Sequence, residues 1–124
     1  MPWQGGVDKR MFPRVNYPCV VRIREKGSAQ AFNTETENIG CGGVCVMLPK
    51  NIGMFSNVEM EIEVTDEKRK IHCDGTVVWI VRRGDIKKDK PESFDTGIEF
   101  TNLKEEDNSI IDKVVRECLK KNKY

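Results

Sequence analysis

Arg10 and Arg14 stand four residues apart in Arg10-Met-Phe-Pro-Arg14, where a Gly- and Pro-bearing start of the chain meets the first periodic segment. A guanidinium grips phosphate through a planar fork of N–H donors and stacks on aromatic faces. Two of them on one bent segment could bracket a ligand that carries both phosphate and a purine base. The spacing alone describes two solvated surface charges equally well. The second group is Asn38-Ile-Gly-Cys-Gly-Gly43. Glycines at 40, 42 and 43 allow positive φ and close approach of the backbone to another group. Asn38 adds an amide that can read a base edge. An ordinary tight turn has the same composition.

Other reactive side chains form no constellation. Cys41 and Cys45 with His72-Cys73 could be offered as zinc ligands. Successive strand residues point to opposite faces, so His72 and Cys73 do not converge on one metal. His72 is the only histidine, and no nucleophile is placed beside it, so no catalytic triad is supported. No catalytic residue, metal site or cofactor is assigned, and no enzyme is expected. Trp79 is read as barrel packing and Cys118 as core. Trp3 falls in the terminal tail. Arg82 and Arg83 stand in the loop after the Trp79 strand, from which a ligand is reachable, and are read as solvated. Glu59, Glu61 and Glu63 form a solvated acidic face that would repel phosphate, so a ligand belongs on another wall.

These residues need a scaffold, and the patterning supplies one. Residues 1–9 carry Pro, two Gly and no period, and read as a flexible tail. Pro13 moves Phe12 out of the α region, so Arg10 to Arg14 forms a turn or extended hook rather than a helix. From Pro18 on the period is 2: Cys19, Val21 and Ile23 share one face, Val20, Arg22 and Arg24 the other. Lys26-Gly27-Ser28 is a turn. Ala31 to Ile39 reads as a second strand ending at Gly40, and Val44 to Leu48 as a third. Pro49 to Asn57 is a loop. Val58 to Val64 alternates apolar and acidic residues without a break. After a turn at Asp66 to Arg69, Ile71 to Val81 forms a long strand with a bulge or bend expected at Gly75. Arg82 to Ser93 is a charged loop, and Phe94 to Phe100 the last strand. Ile110, Ile111, Val114, Val115, Cys118 and Leu119 then fall on one helical stripe. Asn102 with Glu105 suits a capping box. Lys120, Lys121 and Lys123 suit a helix C-terminus. The fold class is therefore mainly β: six short antiparallel strands closing into a barrel, with a C-terminal α-helix covering an edge or open end. Residues 10–121 make one domain.

Composition narrows the function. The 124 residues are 38% hydrophobic and 33% charged, with a formal net charge of +1. That suits one soluble domain. A partner of long nucleic acid is disfavoured, because such proteins carry a basic excess. No apolar run spans a bilayer, and Met1 to Arg10 lacks the apolar core of a secretory signal. The five cysteines read as reduced thiols in a cytoplasmic protein.

Taken together, the two motifs resemble the PilZ domain family, whose ligand signature is Arg-x-x-x-Arg followed by Asp/Asn-x-Ser-x-x-Gly. Arg10-Met-Phe-Pro-Arg14 meets the first part. Asn38-Ile-Gly-Cys-Gly-Gly43 meets the second, with Gly40 where the family has Ser. Lys9 stands where many members have an extra Arg. Gly75-Thr-Val-Val-Trp79, Asp95-Thr-Gly97-Ile-Glu-Phe100 and Asn102-Leu-Lys-Glu-Glu-Asp107 resemble the family's later strands and the approach to its final helix. The resemblance covers roughly residues 8–119. It implies a six-stranded antiparallel barrel with a C-terminal helix, and binding of cyclic di-GMP, a bacterial second messenger. By the same resemblance Arg10 and Arg14 hold phosphates and guanines, with Lys9 beside them. Asn38 contacts a guanine, Gly43 gives room, and Gly40 stands at the position of the family's hydroxyl. The implied function is a cytoplasmic sensor that orders its N-terminal segment on the ligand and signals to a partner protein. The alternative is a PilZ-type adaptor that binds protein without ligand.

Overall fold

The computed structural model describes residues 14–64, 68–84 and 92–121. Among these residues seven strands precede one helix: β1 (Arg14–Val15), β2 (Val20–Glu25), β3 (Ala31–Gly40), β4 (Gly43–Leu48), β5 (Asn57–Val64), β6 (Arg69–Arg83), β7 (Ser93–Phe100) and α1 (Glu105–Lys121). Their antiparallel pairing runs β3-β2-β5-β6-β7-β4, and β4 pairs back onto β3. Six strands thus close a barrel, as the patterning predicts. The two residues of β1 add to the end of β3.

Two long strands make closure possible. Residues 31–35 of β3 pair with β2, and its second half turns to pair with β4. Thr36 fixes that corner. Its N–H donates to Cys19 O, its Oγ1 accepts from Cys19 N–H at 2.9 Å, and its hydroxyl donates to Tyr17 O at 2.7 Å. Likewise the first part of β6 pairs with β5 and the rest with β7.

Alternation sends one set of residues inward. Val21, Ile23, Ile39, Val44, Val46, Leu48, Val58, Ile62, Ile71, Val77 and Ile98 are all buried and form one core. Burying a Val or Ile side chain contributes about 1.5–3 kcal/mol, so this cluster dominates the stability. Helix α1 lays Ile111, Val114 and Val115 against β1 and β3, while Leu119, at the end of the stripe, stays exposed. Arg69 on β6 holds the helix start through Asp107 at 3.2 Å. Among the described residues no helix is long and apolar enough to cross a membrane.

Three local expectations change. Asn102 does not cap the helix: its Oδ1 accepts from Asp74 N–H and its Nδ2 donates to Asp74 Oδ2 at 3.0 Å, tying β6 to the chain leaving β7. The helix begins at Glu105, and its acidic first turn (Glu105, Glu106, Asp107) suits the positive end of the helix dipole. The bulge in β6 is not at Gly75, which pairs in register with Phe100; it lies between Val77 and Trp79. Gly75 is small for another reason, since a Cβ there would stand 2.8 Å from Met60 Cε and 2.9 Å from Glu99 O. Finally, β6 continues through Arg83, so Arg82 and Arg83 belong to a strand and not to the loop.

Candidate functional site

The two sequence motifs meet in one row of the barrel wall. Arg14 pairs with Gly40, Gly40 with Gly43, and Gly43 with Glu99. The residues next to these, Val15, Ile39, Val44 and Ile98, are all core. Strand alternation therefore points the Arg14–Gly40–Gly43–Glu99 row outward. Arg14 and Gly43 are two strand spacings apart, about 10 Å. Lys9 and Arg10 lie outside the described residues.

The next row, about 7 Å along the strands, runs Asn38, Cys45, Gly97 and Trp79. Two bulges set it. Thr36 pairs with Val46 but Asn38 with Cys45, so Glu37 is an extra residue in β3. Val77 pairs with Ile98 but Trp79 with Gly97, so Val78 is an extra residue in β6. Without these insertions Asn38 and Trp79 would follow Thr36 and Val77 into the core. With them both face outward. Trp79 packs as expected, but on the outside of the wall: its indole lies on Gly97, where any Cβ would overlap the ring. Asn38 is half-buried, and its Oδ1 has no hydrogen-bond partner among the described residues.

None of the glycines of the second motif has a positive φ, and Gly43 serves close approach. Among the described residues the positive-φ glycines are Gly27, Gly53 and Gly84. Gly40 ends a strand. A Cβ on Gly43 would overlap the carbonyl oxygen of Ile98, so β4 and β7 fit together only with hydrogen there. Cys41, in the turn between β3 and β4, is half-buried, with its Sγ 4.0 Å from Asp112 of α1.

A charged group sits on the same outer face; of its members the sequence brings Arg83 into view, but not its meeting with Glu37 and Asp95. The Cys45 thiol donates to Glu37 Oε1 at 3.4 Å. Asp95, one row below Cys45, is buried. Arg83 Nε donates to Asp95 Oδ2, and Asp95 Oδ1 has no partner among the described residues. Burial, then the hydrogen bond to Glu37 and the charges of Glu37 and Asp95, push the Cys45 thiol up to about 12, against a smaller opposing pull from Arg14. Burial, and then the nearby Asp95 carboxylate, raise the Glu37 carboxyl. The hydrogen bond and charge of Asp95 raise Arg83 further. The thiol therefore stays protonated and is no nucleophile. On the opposite wall His72 faces out while Cys73 is buried, and Glu59 and Glu61 pair with Arg24 and Lys70.

The arrangement thus offers a cation, Arg14, in one row with Gly40 and Gly43, an amide oxygen in the next row with no partner among the described residues, and an aromatic ring at the end of that second row. Such a wall can take a ligand with anionic oxygens, N–H donors and flat rings.

No curated protein matches the chain. Among solved structures, the Bacillus subtilis inhibitor of motility MotI/DgrA aligns with a TM-score of 0.75 and 19% identity, over 94% of this chain and 55% of its own. The PilZ domain of YcgR from Escherichia coli, solved with c-di-GMP, aligns at 0.71 and 13% identity, over 92% and 94%. The MrkH–c-di-GMP complex of K. pneumonia aligns at 0.75 and 15%, over 94% and 55%. The chain therefore spans about half the length of MotI and MrkH, and at these identities the likeness is one of fold. The PilZ domain family matches residues 8–117, nearly the whole length. The chain belongs to the PilZ domain family.

Proposed function

We propose that this chain is a cyclic di-GMP-binding sensor domain, not an enzyme, that orders its N-terminal Arg-x-x-x-Arg segment on the ligand and signals to a partner protein in the cytoplasm. One observation carries the reading. Arg14, from the first motif, and Gly40 and Gly43, from the second, stand in one outward row, with Asn38 in the next, its Oδ1 without a partner among the described residues. In this reading Arg10 and Arg14 hold the phosphodiesters, with Lys9 adding charge. Asn38 accepts from a guanine N–H, and Gly40 and Gly43 let the ligand lie against the backbone. The ligand-bound YcgR and MrkH domains share the fold, which supports the ligand class.

Ordering of the segment is testable by hydrogen exchange. Residues 1–14 should exchange more slowly at saturating cyclic di-GMP than without it. Unchanged exchange with ligand demonstrably bound would leave a binding domain without this switch. The second reading, a ligand-independent adaptor, is favoured by Gly40, which brings no hydroxyl where the family has Ser.

A further inference from the structure

Arg82 and Arg83 are neighbours in sequence but take opposite faces of β6. Arg82 pairs with Glu92. Arg83 shares the outward face of Trp79 and Val81 and reaches across to Asp95. The Asp95 side chain is 7% exposed and that of Arg83 62%. A buried carboxylate therefore holds the Nε corner of an exposed guanidinium, and the Nη end carries its remaining N–H donors. Asp95 stands on β7 two residues from Gly97, one outward row beyond the Asn38–Cys45–Gly97 row, so Arg83 is anchored beside the wall that carries Asn38. We infer that Arg83 is a further ligand-contacting cation of this site, positioned by Asp95 so that its Nη end meets a phosphodiester of the ligand.

The inference rests on the cyclic di-GMP reading. Fixing one corner of the fork removes much of the rotamer freedom that an exposed Arg loses on binding. Asp95 and Glu37 also make this end of the wall acidic, so loss of Arg83 removes a contact and unmasks repulsion together. The test has to separate the two. Calorimetric titrations with cyclic di-GMP at one salt concentration would compare the parent with Arg14→Ala, Arg82→Ala, Arg83→Ala, Arg83→Lys and the double variant Arg83→Ala/Asp95→Asn. Arg83→Ala should weaken binding about tenfold or more. Arg83→Lys should recover part of the loss, since it keeps the charge without the fork. Arg82→Ala should stay within about twofold of the parent. The double variant should stay weak. Parental affinity in the double variant would mean that Arg83 only screens Asp95, and would overturn the inference. So would parental affinity in Arg83→Ala, or an equal loss in Arg82→Ala. If Arg14→Ala weakens binding and Arg83→Ala does not, the reading stands and this inference falls. A parent that ignores millimolar ligand removes both.

Discussion

Asn38 Oδ1 is a buried acceptor without a donor among the described residues, and such an atom costs about 1–3 kcal/mol. In the proposed complex a guanine N–H would relieve that cost, which would tie the residue to binding rather than to folding. Gly40 poses the complementary question. Its place in a strand, away from the positive-φ glycines, removes the backbone strain that a side chain would otherwise meet. Gly40→Ser should therefore tighten cyclic di-GMP binding by the worth of one hydrogen bond, about 0.5–1.5 kcal/mol and up to about 3 to a charged acceptor, or roughly threefold to a hundredfold. Gly40→Ala is the control, because it adds the carbon without the hydroxyl. Ser and Ala binding alike would place the ligand away from this loop. Arg14, Asn38, Gly40 and Gly43 are legible in the sequence because two short motifs carry them. Arg83 is in view there only as a loop cation, and its meeting with Asp95 beside Glu37 is not legible, because it depends on register across four strands.

At the scale of the strand, alternation reads the barrel well wherever it is unbroken. Val58 to Val64 sends Val58, Met60, Ile62 and Val64 inward as the pattern predicts. It fails at the two bulges. Parity counted from Thr36 or Val77 would send Asn38 and Trp79 inward, and nothing in the residue types at 37 or 78 announces the extra residue. In β4 five of the six residues are buried, so its outward face reads as core. Asn102 misleads for a different reason: a cap and a cross-strand latch use the same side chain, and tertiary pairing with Asp74 wins. The glycine at 43 gives the test for this scale. Gly43→Ala forces β4 away from the Ile98 carbonyl and should cost about 1–3 kcal/mol, seen as a lower midpoint in urea denaturation. An unchanged midpoint would mean that the two strands are not packed this tightly.

For the whole molecule, pH and ligand are the informative variables. Burial first, then neighbouring carboxylates, push the Cys45 and Cys73 thiols up to about 12 from an ordinary 9.0. The folded chain keeps these protons at pH values where the unfolded chain gives them up. Stability from this source is full below about pH 9 and falls as pH rises toward 12, by about 1.4 kcal/mol per cysteine per unit at most. The urea midpoint at pH 10 should lie below that at pH 8, and equal midpoints would show thiols less buried than this. The closed barrel and the C-terminal helix were legible as six strands and one apolar stripe; the pairing of β3 with β4 that closes the ring came only with the structure. If the Arg14–Gly40–Gly43 row binds cyclic di-GMP, calorimetric titration of the parent and of Arg14→Ala with cyclic di-GMP separates the two proteins. The parent should bind saturably, and Arg14→Ala should lose about ten- to a hundredfold in affinity, the worth of a charge-assisted hydrogen bond of roughly 1.5–3 kcal/mol. Equal affinities in the two proteins, or a parent that shows no heat at millimolar ligand, would contradict binding at this row.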